Sequence, residues 1–149
     1  MVQKVADKKK PIKWLASKTT DQWLKQAIEN PIEILMDHAH CERKAAGVAV
    51  QLMFRYLSEP GLAEVLSPLA REELEHFELV LDILHSRGKT LLPLAAPPYG
   101  AKLSKQVRRE EPQRMLDMFL VSGLIEARSH ERMSLLALNS PDKQLRLLY

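Results

Sequence analysis

Residues 71–80 read REELEHFELV, and the fold turns on how that stretch is placed. Glu73 and His76 stand three apart, so on an α-helix they share one face, a turn from each other. Followed outward at alternating steps of three and four, that face collects Leu66, Leu69, Glu73, His76, Val80 and Ile83. This is the rhythm of a buried seam with a carboxylate and an imidazole set into it. The helix that carries it is expected from about Leu62 to Arg87, stopped by Gly88.

The same rhythm recurs on both sides. Upstream, Leu35, Ala39, Glu42, Ala46, Ala49, Met53 and Tyr56 form a seam on a helix expected from Pro31 to about Leu57. Asn30 is its N-cap, Pro31 its first residue and Glu33 the third, the pattern of a capping box. Ser58, Glu59, Pro60 and Gly61 supply the turn that follows. Before this helix, Thr19 or Thr20 can cap a short one running toward Glu29. Downstream, Met115, Phe119, Ser122, Glu126, Ser129, Met133 and Leu136 mark a third long helix, from near Pro112 to about Leu138. Ser140-Pro141-Asp142 then opens a fourth that has hardly begun at Tyr149. The stretch 89–111, with Pro93, Pro97, Pro98 and Gly100, is too long for an ordinary helix connection and is a candidate functional loop. Period-two alternation and Asn-Gly turns are scarce or absent, so the fold is expected to be all-α.

Each long helix thus brings one glutamate to a common interior, and the second adds a histidine. An ionised carboxylate buried without a partner costs several kcal/mol, and three that converge repel one another. Taken singly, each glutamate reads as an exposed or salt-bridged residue, with Arg43 and Lys44, or Arg128 and Arg132, as available cations. Taken together, with Glu73-x-x-His76 matching the inward pair of di-iron carboxylate bundles, Glu42, Glu73, His76 and Glu126 read as metal ligands. Oxygen-rich ligation with little imidazole favours iron or manganese over zinc or copper. His38, His40, His85 and His130 read as surface or supporting groups.

Length and composition are compatible with one helical domain over residues 1–149, with 1–12 as a flexible tail. A single cysteine, Cys41, leaves no disulfide framework and no cysteine-based metal site within one chain. There is no run of about 18 uncharged apolar residues, and the opening MVQKVADKKKPIKW has no apolar stretch behind its charges, so a cytoplasmic protein without a membrane partner is expected. The net charge of +3 does not announce a nucleic-acid binder, although basic residues cluster at Lys8, Lys9 and Lys10 and again at Lys102, Lys105, Arg108 and Arg109.

The stretches DHAHCERKAAG (37–47), REELEHFELV, GLIEARSHER (123–132) and LLPLAAPPYG (91–100) resemble the tRNA hydroxylase family called MiaE, within the ferritin-like di-iron carboxylate superfamily, from about Ile12 to Tyr149. The resemblance implies a ferritin-like antiparallel bundle, here with three long helices and a truncated fourth. It places the iron ligands on Glu42, Glu73, His76 and Glu126, and implies two irons with dioxygen as co-substrate. The reaction implied is hydroxylation of the isopentenyl group of 2-methylthio-N6-isopentenyladenosine in the anticodon loop, with electrons from a separate reductase or ferredoxin. tRNA is then the partner, and the loop would meet it through Tyr99 for stacking and Lys102, Lys105, Arg108 and Arg109 for phosphates. The family's second Glu-x-x-His does not occur before Tyr149, and Asp82 and His85 lie on a helix already used. The chain is therefore either a short form or a piece of a longer protein, and alone it is expected to make an incomplete di-iron site. The alternative is a ferritin-like iron-binding protein without hydroxylase activity that completes its bundle as a homodimer. A metal-free structural or RNA-binding remnant is a third reading.

Overall fold

A computed structural model describes residues 13–149; the Lys8–Lys10 cluster and the expected tail 1–12 lie outside them. Among the described residues there are six α-helices and no strand. They are α1 (Asp21–Glu29), α2 (Pro31–Arg55), α3 (Leu62–Ser86), α4 (Pro98–Ser104), α5 (Gln113–Asn139) and α6 (Lys143–Leu148). The three long helices expected from the seams are α2, α3 and α5. No helix among the described residues is long and apolar enough to cross a membrane. The chain divides into two compact units, one of residues 25–96 and the other of residues 97–147 with the segment through Leu24.

The first unit is the α2–α3 hairpin. Pro31 opens α2 with a fixed φ where an amide donor is not needed. Asn30 occupies the N-cap, but its side chain does not cap: its amide Nδ2 donates to Gln26 O at 2.8 Å, and the expected capping box with Glu33 does not form. The cause is local, since α1 ends one residue earlier and the Gln26 carbonyl, which accepts the Asn30 backbone N–H at 3.1 Å, takes the side-chain amide as a second donor. Gly61, at φ 76°, takes the left-handed conformation in the turn before α3. At the other end Gly88, at φ 66°, donates to His85 O at 2.9 Å and Lys89 N–H to Leu84 O at 3.0 Å, a Schellman closure.

The hairpin is held by its inward faces. Leu35, Ala39, Ala46, Ala49 and Leu52 of α2 and Tyr56 at its C-cap are buried, as are Leu66, Ala70, Val80 and Leu84 of α3. Each buried leucine contributes about 1.5–3 kcal/mol relative to exposure. The α2 seam matches expectation except that Leu52 displaces Met53. In α3 Leu66 and Val80 are buried as expected, but the alternate seam positions are shifted by one residue: Leu69 is 40% exposed and Ala70 is buried, His76, expected to face the core, has 48% of its side chain exposed, and Leu84 is fully buried where Ile83 was expected. A strict three-four alternation has a period of 3.5, so it drifts off the face of a straight helix within a few turns.

In the second unit, α4 lies inside what the sequence suggested was loop. Pro97 and Pro98, read there as part of the loop, stand at the N-cap and first position of α4. After α5, Asp142 caps α6 by accepting from Gln144 N–H at 2.8 Å and Leu145 N–H at 3.2 Å, so the fourth helix starts two residues later than Ser140 suggested. The segment before α1 is strapped to α5. Glu131 accepts from the Thr19 N–H at 3.1 Å and hydroxyl at 2.7 Å, Arg128 donates to Ser17 O at 2.8 Å, and Arg128 and Glu131 pair with each other. Burial alone would push the Glu131 carboxyl up, but the bonds from Thr19 and Arg128 outweigh it and hold the group below its ordinary range. Arg132 lies 4.7 Å over the Trp23 ring.

Candidate metal centre

Glu42 sits in mid-seam on α2, between Ala39 and Ala46, and only 13% of its side chain is exposed. Such a carboxylate needs partners, and the hairpin supplies three. His38, one turn earlier and itself buried, places Nε2 at 2.8 Å from Glu42 Oε1. His76 Nδ1 of α3 is 3.8 Å from Glu42 Oε2. Glu73, a turn before His76, shares a side-chain hydrogen bond with Glu42. One donor atom each from Glu42, Glu73 and His76 lies within 4.8 Å of the others, so the three can converge on one cation.

The electrostatics agree with a cation site. Burial pushes the Glu42 carboxyl up, yet the hydrogen bonds from His38 and Glu73 and the positive character of His38 and His76 outweigh it, and Glu42 is held below the usual carboxylate range. Two carboxyls in hydrogen-bond contact must share a proton, and that proton is what a divalent ion displaces on binding. Two carboxylates and one imidazole form a hard donor set with nitrogen in the minority, which suits iron or manganese. His38 orients the Glu42 oxygen rather than joining the cluster, as an outer ligand partner does. His40 is tied elsewhere: the Leu92 carbonyl can only accept, so His40 Nε2–H donates to it at 2.8 Å, while Nδ1 accepts from Arg43 at 3.2 Å. This bond fastens the start of the proline-rich loop to α2.

Glu126, the fourth expected ligand, lies on α5 in the other unit and is exposed. Together with Lys13, Trp14, Gly123, Ala127 and His130 it lines a notch of about 480 Å³. Among the expected RNA-contacting residues, Tyr99 and Lys102 belong to α4, and Lys102, Lys105 and Arg109 are exposed. Arg108 is engaged: its guanidinium makes a forked pair with Asp117 at 2.8 Å on both arms, and its backbone N–H adds a third bond at 2.9 Å. The sequence missed this pairing, since the two residues are joined by tertiary folding and not by helical spacing. The Arg108 hydrogen bonds hold Asp117 down at about 2, against an ordinary 3.8. A lowered carboxylate stabilises the fold above its unfolded pKa, and that contribution is lost as pH falls from about 3.8 through about 2. Asp117→Asn is therefore expected to lose this contribution above about pH 3.8, a small loss because the pair is exposed, and to match the parent below about pH 2, which denaturant unfolding followed by circular dichroism at the two pH values will read.

Comparison with known proteins gives the family. The family described as tRNA-(MS2IO6A)-hydroxylase (MiaE) matches residues 6–149. The tRNA 2-(methylsulfanyl)-N6-isopentenyladenosine(37) hydroxylase of Pseudomonas putida is 40% identical over 123 residues, 83% of this chain and 60% of that protein. The enzyme of the same name from Salmonella typhimurium is 25% identical over 175 positions, 85% of this chain and 65% of that one. The chain thus spans less than two-thirds of the length of these relatives. A Synechococcus protein described as having aldehyde deformylating oxygenase activity shares the fold, with a TM-score of 0.91 and 68% identity over 93% of this chain and 69% of its own. On the family match and on the Pseudomonas putida relative, this chain belongs to the MiaE family of tRNA hydroxylases.

Proposed function

We propose that the chain acts as part of a non-haem di-iron monooxygenase that hydroxylates the isopentenyl group of 2-methylthio-N6-isopentenyladenosine in tRNA. The observation that carries this reading is the convergence of Glu42, Glu73 and His76 on one point of the hairpin, within a chain matched by the hydroxylase family along nearly all its length. Glu42, Glu73 and His76 would hold iron from α2 and α3. Bound iron supplies dioxygen activation at neutral pH. The reaction balances as one oxygen atom inserted into a C–H bond and the other released as water, with two electrons delivered by a separate reductase or ferredoxin and two protons taken from solvent. The chain's own residues hold Glu42 ionised, orient it through His38, and keep water from the hairpin seam with Leu35, Val80 and Leu84.

The test is nucleoside analysis of tRNA from a strain deleted for the gene. Loss of the hydroxylated nucleoside, restored by the wild-type gene and not by Glu73→Gln, supports the reading; an unchanged nucleoside profile removes it. The Synechococcus relative motivates a second reading, since its described activity is an oxygenase reaction on aldehydes. Both readings use the same metal cluster and differ in substrate. Supplying purified protein with reductant and either prenylated tRNA or an aldehyde separates them by product, a hydroxylated nucleoside or a chain shortened by its formyl carbon.

A further inference from the structure

Trp14 is held firmly yet left in water. The strap made by Ser17, Thr19, Arg128 and Glu131 fixes the segment that carries it, but 64% of the Trp14 surface remains exposed. Its indole lies directly against Gly123 of α5: a methyl added there would stand 2.9 Å from the ring carbon Cζ3, closer than any side chain tolerates. Only glycine lets the ring come so near. Beside the ring the notch is lined by Ala127, with Glu126 and His130 a turn apart along α5 and Lys13 adjacent in sequence to Trp14. An exposed aromatic ring seated against a helix glycine, next to a cation and groups able to bond a ring edge, is the equipment of a base-stacking platform. At about 480 Å³ the notch lies in the size range of small-molecule sites.

We propose that this notch is a stacking site for an unpaired purine of single-stranded RNA, with the base on the Trp14 indole and its phosphate toward Lys13. The occupant is argued to be the adenosine beside the anticodon, the base on which the function proposed above would act, because the notch sets an exposed indole for a base beside Lys13 for its phosphate and His130 for its edge. The assignment of this particular base rests on the hydroxylase reading; the stacking itself does not.

The test uses the full chain in a Trp23→Phe background, where Trp14 is the only remaining tryptophan, and a synthetic anticodon stem-loop RNA as probe. Saturable quenching of Trp14 fluorescence is expected, and an abasic site in place of the adenosine should remove it. In a separate anisotropy assay with labelled RNA, Trp14→Ala should weaken binding by roughly 5- to 150-fold and Trp14→Phe by much less. Gly123→Ala, which displaces the ring without removing it, should weaken binding as well, with helix content checked by circular dichroism. Equal RNA affinity of Trp14→Ala and its parent, or the absence of quenching at saturating RNA, overturns the site. Either result leaves the hydroxylase reading standing, whereas an unchanged tRNA nucleoside profile in the deletion strain removes that reading and leaves the stacking measurement intact.

Discussion

Glu73→Gln is expected to lower the affinity of the chain for ferrous iron by more than about 100-fold while leaving the metal-free hairpin folded. Changes in groups that merely support a metal ligand cost about 10- to 100-fold. Loss of a ligand charge from a cluster of three should exceed that. The apo protein should tolerate the change because glutamine has the same shape and its amide can still donate to the Glu42 carboxylate, replacing the hydrogen bond that Glu73 shares with it. The two states therefore separate in a thermal melt. Ferrous iron at 100 times its dissociation constant stabilises the native wild-type chain by about 2.7 kcal/mol. It should move the melt of Glu73→Gln by almost nothing. Anaerobic titration calorimetry gives the affinities, and equal affinity in the two proteins would remove Glu73 from the site.

The second large effect is expected in the core. Leu84 is fully buried at the α2–α3 seam, and Leu84→Ala should cost about 2–5 kcal/mol, the transfer term plus that of the cavity left behind. Leu69→Ala provides the comparison. Leu69 is 40% exposed, so its truncation should cost well under half as much. Urea unfolding of both variants decides between the two possible registers of α3: a midpoint shift larger for Leu69→Ala than for Leu84→Ala would restore the seam read from the sequence.

How far the sequence reveals the site can be judged from these same residues. Glu73 and His76 are one turn apart on one helix, and helical spacing suffices to pair them. Glu42 follows from its place between Ala39 and Ala46 on the three-four seam of α2. The register of α3 was less legible, because the choice between Leu69 and Ala70, or Ile83 and Leu84, depends on accumulated helical phase and not on residue type. Leucine and isoleucine look equally apolar on either side of a boundary. The role of His38 was within reach, since its i,i+4 spacing from Glu42 is the signal for a side-chain pair on a helix. The bond from His40 to the Leu92 carbonyl was not, because a backbone acceptor fifty-two residues away leaves no trace in the pattern. The same applies to Arg108, whose basic character suggested a phosphate contact until the fold gave it Asp117. Tertiary pairing decides which charges face a partner, and short-range patterning carries no information about it.

The central claim is that Glu42, Glu73 and His76 bind iron together, and anomalous diffraction at the iron edge from crystals of the iron-loaded full chain tests it most directly. The expected result is an iron peak within bonding distance of a carboxylate oxygen of Glu42, one of Glu73 and a ring nitrogen of His76, with His38 still bonded to Glu42. No anomalous peak at that cluster in crystals shown by fluorescence to contain iron, or a peak bound only by other residues, would contradict it.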